Sequence, residues 1–507
     1  MRIYCHGALA GLILVLVIVT LACQSAPTVA PAPASSPPPA APAPNPPATP
    51  PFVSTPEETP FNPTIPENKG TGPAAPAPAP RTETPPPPPS AKPTIIAEEF
   101  KQTFESHFGF MPAQWDFKSA REAGGVYDRP FFELFQWDRI EKEPGHFDFQ
   151  ETDQHVKQAQ DYGLHILANL QPFAAWDQVK CHQDLTPTGK PGVAVSQTPK
   201  GKPCDMAAYK NFILKLVERY DGDGIDDMPG LTVPIKHWEV LNEPEFQEEP
   251  LVFFQGTPAD YCEILQATSE AVKQADPEAY VVQGGMAGMM DVCTNFWQGV
   301  FDTGGAAYLD IMNMHSIGHG EHLNIPAFKQ FLARNGLQDK PIWITEVQFQ
   351  QSHQTQNFSN EDFAKILARS YIFALANGVV KLFYVNIRMP PFYDAGIPFD
   401  ERSALIKNNG EKSALFKAHA TVALMLGELG KGDSVEIIRE RVGSWHIEEG
   451  QYKFSIKGRT IYTLWGGGSL PAAIAGEVRV IDITGAERVT DAASLKLNDS
   501  PIFVLID

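Results

Sequence analysis

His237-Trp238-Glu239-Val240-Leu241-Asn242-Glu243-Pro244 is the stretch on which the fold of this chain turns. A short apolar run closed by a proline is the mark of a buried strand, and this one ends in a carboxylate. A second run, Pro341-Ile342-Trp343-Ile344-Thr345-Glu346, ends in the same way. A carboxylate just past a buried strand is costly unless it is paired or put to use. Glu243 and Glu346 are therefore singled out as a pair.

Outward from these two runs the chain alternates apolar strands with amphipathic helices, the pattern of a parallel sheet. Eight strands are expected, near His107-Met111, Phe131-Gln136, His165-Gln171, His237-Asn242, Tyr280-Gly285, Asp310-His315, Ile342-Glu346 and Lys381-Asn386. Apolar residues recur at helical spacing in Met206-Tyr220 and in Glu361-Asn377. The second of these helices follows Ser359, with Asp362 three residues on, a variant of the capping box. A last helix, Glu411 to Leu429, completes eight units, which predicts an α/β fold, a (β/α)8 TIM barrel over residues 96–429. In such a barrel the reactive groups stand at the C-terminal ends of the strands, where Glu243 and Glu346 fall.

After Gly430 the texture changes to short β-prone segments between Gly, Asp and Asn turns. Residues 430–507 are expected to form a small antiparallel, sandwich-like β domain. Its tryptophans, Trp445 and Trp465, could stack on sugar, but structural support is the reading preferred here.

At the other end, Ala8 to Ala22 is an apolar run of signal-peptide length, too short for a spanning helix. The sequence Thr20-Leu21-Ala22-Cys23 resembles the lipobox of bacterial lipoproteins, with Thr20 and Leu21 departing from the preferred residues. Residues 1–22 are thus expected to be a signal peptide and Cys23 to carry lipid, the chain's one membrane contact. Residues 24–95 hold 26 of the 47 prolines. Such a segment favours extended polyproline II and cannot bury a core, so 23–95 reads as a disordered Pro/Ala-rich linker. The chain is then expected to be exported, at the cell surface or secreted.

The formal net charge of −20 argues against nucleic acid or anionic lipid as the main partner. Four cysteines remain beyond Cys5 and Cys23. Cys181 with Cys204 and Cys262 with Cys293 are plausible bridges in an oxidising compartment, and no pair has the short spacing of zinc ligands. Asp221-Gly222-Asp223-Gly224-Ile225-Asp226-Asp227 looks like a calcium loop, with Asp221, Asp223 and Asp226 as oxygen ligands, but lacks an EF-hand's closing glutamate. Linking the third helix to the fourth strand, it should lie on the face away from the carboxylates. An acidic turn is the simpler reading.

The Asn242-Glu243-Pro244 triplet, Trp238 upstream and Thr345-Glu346 together resemble the retaining glycosidases of clan A. Trp137-Asp138-Arg139-Ile140-Glu141 with Glu143-Pro144-Gly145-His146-Phe147-Asp148-Phe149 resembles a segment that follows strand two in several of its families. Ser403-Ala404-Leu405-Ile406 and Gly410-Glu411-Lys412 resemble their last loop and helix. The likeness spans residues 100 to 429. It implies a carbohydrate substrate, no cofactor, Glu243 as acid/base, Glu346 as nucleophile and Asn242 bonding the sugar's 2-hydroxyl. Such enzymes hold the two carboxyls ~5–5.5 Å apart. The resemblance also points to His315 and to Arg129, although Arg129 stands further from Trp137 than in relatives. Position alone adds Gln171 and Trp176 after strand three. The departures are His315-Ser316-Ile317 where many relatives have His-x-Tyr, and Tyr384-Val385-Asn386 where many end strand eight with tryptophan. Tyr384 and Asn386 are the substrate-binding candidates there. A transglycosidase on the same site, or a non-catalytic carbohydrate-binding lipoprotein, would carry the same pattern.

Overall fold

The computed structural model describes residues 106–187, 198–248, 251–349, 353–388 and 401–506. The expected signal segment, Cys23 and the proline-rich linker lie outside these residues. Among the described residues no helix is long and apolar enough to cross a membrane.

Eight parallel strands alternate with eight helices: β1 (Phe108–Phe110), α1 (Phe117–Glu122), β2 (Tyr127–Asp128), α2 (Gln150–Asp161), β3 (His165–Gln171), α3 (Met206–Glu218), β4 (His237–Val240), α4 (Pro258–Ala275), β5 (Tyr280–Gln283), α5 (Asp291–Asp302), β6 (Met312–Ile317), α6 (Ile325–Arg334), β7 (Ile342–Gln348), α7 (Asn360–Ala376), β8 (Val379–Tyr384) and α8 (Ala414–Leu426). The hydrogen-bonded order runs β5-β4-β3-β2-β1-β8-β7-β6. The ring closes between β5 and β6 through single bridges, Val282 with Ile311 and Met286 with Met314, on either side of Gly284-Gly285. This is the (β/α)8 barrel.

The helices begin where the sequence supplies caps. Ser359 and Asp362 bond reciprocally at the start of α7, and Thr257 and Asp260 do so at α4, with Pro258 in the first turn. Each such cap satisfies backbone donors that the helix itself leaves open. Inside the barrel Tyr127, Leu167, Val282, Trp343 and Phe383 pack as an apolar plug. Trp238, within β4, is fully buried as well.

One expected strand is displaced. The apolar run Phe131-Gln136 is not the second barrel strand: that strand is Tyr127–Asp128, and Phe132–Leu134 coils into a 3-10 turn before Phe135–Gln136 pairs with the end of β3. Pro130 accounts for this, because it cannot donate to a central ladder. The turn lengthens the path from Arg129 to Trp137, and Arg129 ends up just past β2.

Residues 434–506 form one six-stranded antiparallel sheet rather than the two facing sheets of a sandwich. Its strands are β9 (Ser434–Val442), β10 (Ile447–Ile456), β11 (Arg459–Trp465), β12 (Glu477–Asp482), β13 (Glu487–Asp491) and β14 (Ile502–Ile506), in the order β9-β10-β11-β14-β12-β13. One face, with Tyr452, Phe454, Ile461 and Trp465, shares a continuous core with the barrel. The other, with Tyr462, Val480 and Val504, is closed by Leu470, Leu495 and Leu497 of the domain's own loops. Trp465 donates its indole N–H to the Ile447 carbonyl (2.9 Å), and both it and Trp445 are buried, in keeping with support.

Of the expected bridges, Cys181–Cys204 is formed, with 5.8 Å between Cα atoms. Cys262 and Cys293 form no disulfide with each other. Their environments explain the difference, since Cys262 faces the Thr303 carbonyl from α4 whereas Cys293 is buried on α5. The acidic turn closes on itself: Asp227 accepts from the N–H groups of Gly222 and Gly224, and Asp221 and Asp223 accept from those two residues on. The converging carboxylates are Asp221, Asp223 and Asp227. Asp226, expected among them, instead takes a left-handed backbone with φ of 50°.

Candidate active site

Arg129 organises the C-terminal mouth of the barrel. Its guanidinium, fully buried, donates from Nε to Glu239 (2.6 Å), from Nη1 to Glu346 (2.9 Å) and from Nη2 to Asn242 (2.8 Å). One side chain just past β2 thereby ties together β4 and β7. Planar Arg forks suit this task, since several donors sit in fixed geometry. Glu239 also accepts from Asn169 of β3 (2.9 Å) and Asn313 of β6 (2.7 Å). Glu239 is fully buried and supports this layer.

Above this layer stand the two carboxyls. Oxygens of Glu243 and Glu346 and a ring nitrogen of His315 lie within 4.8 Å of one another. His315 Nδ1 is 2.8 Å from Glu243 Oε1 and 3.6 Å from Glu346 Oε1, while Nε2 meets the Thr345 hydroxyl at 3.0 Å. Room for this imidazole comes from Gly285, where any Cβ would overlap the ring. Leu241 and Glu243 both have left-handed backbones, φ of 65° and 41°. For residues with side chains this is a strained conformation of a kind that collects at functional sites.

The two carboxyls are not equivalent. Burial pushes Glu243 well above the usual carboxylate range, and the neighbouring charges of Glu346 and Glu245 push it further. Burial raises Glu346 as well, to about 7, but the Arg129 guanidinium pulls against it. The proton therefore rests on Glu243 while Glu346 ionises. Burial, with Arg129 nearby, holds His315 well below the usual imidazole range, so the ring is neutral.

The remaining candidates separate. Asn242 spends its oxygen on Arg129 and leaves a buried Nδ2 with no partner, a free donor beside the pair. Asn386, past β8, has a buried Oδ1 in the same condition. Gln171 donates to Asn169 Oδ1, one step from the Glu239 network. Trp176 gives its indole N–H to the Glu141 carbonyl (2.9 Å) and packs on Trp137, with centroids 4.9 Å apart. Tyr384 is fully buried, its hydroxyl donating to the Ser403 carbonyl at 2.8 Å. The structure thus brings Glu243, Glu346, Asn242, Arg129 and His315 together and engages Trp176 and Tyr384 in packing.

Asn169 and Asn313 carry no expectation from the sequence, and Thr345 enters it only within the Thr345-Glu346 resemblance. The first two had a signal: an amide within an otherwise apolar strand, as in Ile166-Leu167-Ala168-Asn169-Leu170 and Met312-Asn313-Met314. Glu245, just past Glu243, is buried as well. It accepts from the Ala287 N–H (2.6 Å) and the Trp297 indole (3.1 Å).

No protein-family model and no curated protein matches the chain. Solved structures do. A glucosidase from Croceicoccus marinus superposes with a TM-score of 0.54 at 15% identity, over 79% of this chain and 95% of that one. A GH39 β-xylosidase from Caulobacter crescentus gives 0.52 at 14% identity, over 80% and 96%. At such identities the likeness is one of fold.

Proposed function

We propose that this chain is a retaining glycoside hydrolase that cleaves O-glycosidic bonds of oligo- or polysaccharides by double displacement. The observation that carries this reading is the unequal setting of two close carboxyls: Glu346 on the Arg129 guanidinium, Glu243 on a neutral imidazole. Their oxygens lie within 4.8 Å of each other. That suits a retaining pair, whereas an inverting pair needs roughly 6.5–9.5 Å to admit a water. Glu346 attacks the anomeric carbon while Glu243 delivers its proton to the leaving oxygen. Glu243, now ionised, takes a proton from water, which displaces Glu346 and frees the sugar with its configuration retained. Asn242 offers its free Nδ2 to the 2-hydroxyl, and Asn386, just past strand eight, offers an acceptor. The resemblances read in the sequence and the fold shared with a glucosidase and a β-xylosidase support the same assignment.

Export to an oxidising compartment, with Cys23 as a lipid anchor, belongs to this proposal. The Cys181–Cys204 bridge supports the compartment.

The test is a panel of aryl β-glycosides, glucoside and xyloside first, and of polysaccharides, given to the protein and to Glu346→Ala. Turnover lost in the variant, with the first-formed anomer retained by proton NMR, is the expected result. A panel bound but left uncut by the native protein would overturn it in favour of a carbohydrate-binding role.

A further inference from the structure

Glu245 is a buried carboxyl that the double displacement does not use. It follows the acid/base by two residues, across Pro244, and is 2% exposed. Its oxygens meet the backbone N–H of Ala287 at 2.6 Å, the Trp297 indole N–H at 3.1 Å and the Cys293 thiol. All three donors are neutral. Glu239, the other accessory carboxylate of the site, shares Arg129; Glu245 has only dipoles around it. A carboxylate held in this way keeps its field, because no opposite charge cancels it, and low-dielectric surroundings screen it poorly.

Resting on the assignment of Glu243 and Glu346 as the catalytic pair, we propose that Glu245 is a positioning residue that keeps the pair's proton on Glu243. Glu243 must be protonated at the moment of attack, and a negative charge next to it makes the loss of that proton harder. The timing fits. Burial lifts Glu245 to about 7, so its charge appears as pH rises through neutrality, while Glu243 is itself held well above the usual carboxylate range. Its partners lie on α5 and on the segment after β5, so the same contacts also fix the strap that presents Glu243.

Other titratable and charged groups face this cluster. Cys293 comes from α5, Tyr261 from α4 with its hydroxyl on the Val240 carbonyl (2.7 Å), and His319 from the loop after β6, bonded at Ala287. Around Glu243 itself stand Glu346, Arg129, Glu239 and His315. Of these, Arg129 is the cation, and it is bonded to Glu239 and Glu346, not to Glu245.

The experiment titrates side-chain carboxyls of the full chain labelled with 13C at glutamate Cδ. The Glu243 resonance is assigned by its loss in Glu243→Gln, and that of Glu245 by its loss in Glu245→Gln. In the native chain, ionisation of Glu245 should shift the Glu243 signal. In Glu245→Gln, which keeps an acceptor but no charge, the Glu243 midpoint should fall by about one pH unit or more. The alkaline limb of kcat/KM on an aryl glycoside should fall with it. A Glu243 midpoint unmoved in a variant with an unchanged melting temperature overturns the proposal. Should the variant fail to fold, a Glu243 signal indifferent to Glu245 ionisation in the native chain overturns it equally. A native chain that cuts no glycoside sinks the proposed reaction instead, and the titrations still decide the link between the two carboxyls.

Discussion

Glu346 and Glu243 fail differently when removed. Without the Glu346 carboxylate no glycosyl–enzyme bond forms, so Glu346→Ala should be inactive on every glycoside, whatever the leaving group. Glu243→Ala should lose about 10²–10⁴-fold on poor leaving groups. It should retain the first step on dinitrophenyl glycosides and recover turnover with added azide. Equal losses on both substrate classes would reverse the roles. Glu133 offers a prediction of another kind. It is buried beside the mouth with Oε2 unpartnered, and burial raises it to about 7. A carboxyl raised above its unfolded value favours the protonated folded state, so stability is highest below the unfolded value near 4.5 and declines as pH climbs to about 7. The full penalty is on the order of 3 kcal/mol. Glu133→Gln should flatten the fall in melting temperature between those pH values; an unaltered profile would mean that Glu133 does not titrate there. Glu243 and Glu346 were legible because a carboxylate at the end of an apolar strand stands out, whereas Asn242, Arg129 and His315 were legible only through the family resemblance. Glu245 was not, because its role depends on what its oxygens meet, here an amide 42 residues away in sequence. Tyr384 at the end of β8 and Trp176 on the short helix after β3 show the converse, aromatic residues whose polar atoms are held by backbone carbonyls.

Among elements, the polar layer beneath the carboxyls joins β2, β3, β4, β6 and β7 through Arg129, Glu239, Asn169 and Asn313. Breaking such a layer by removing one partner leaves a buried charge alone. Arg129→Ala should therefore cost roughly 3–5 kcal/mol in denaturant unfolding as well as abolishing activity, and a loss of activity at full stability would limit Arg129 to the chemistry. The strand–helix alternation was readable because helical and strand periods differ, and because caps such as Ser359 and Asp362 announce a helix locally. The second strand was misplaced because it is two residues long. So short a strand has no period to detect, and the richer apolar run beyond Pro130 drew the assignment. The cysteines divide likewise: a bridge within one loop could be read, but the separate settings of Cys262 and Cys293 could not.

At the scale of the molecule, the C-terminal sheet and the barrel share one core along α7, a helix buried on nearly every side. A polar knot sits at their junction. Glu321, from the loop after β6, accepts from Arg369 of α7, from His446 (3.0 Å) and from the N–H of Ile447 (2.7 Å). Glu321→Ala should destabilise barrel and sheet together, in a single thermal transition lowered by about 3–5 kcal/mol; two separated transitions would show them to be independent units. Sequence texture marked where the sheet begins, but not that it would cover α7, since that contact pairs residues distant along the chain. Gly285 carries the last consequence. Its missing side chain is the space that His315 occupies, so in any lineage of this chain the two positions are not inherited independently. A codon change at 285 that adds even a methyl group is admissible only after His315 has given way to something smaller. A chain that keeps the imidazole in this place must keep the glycine, since a Cβ at 285 would stand where the ring stands.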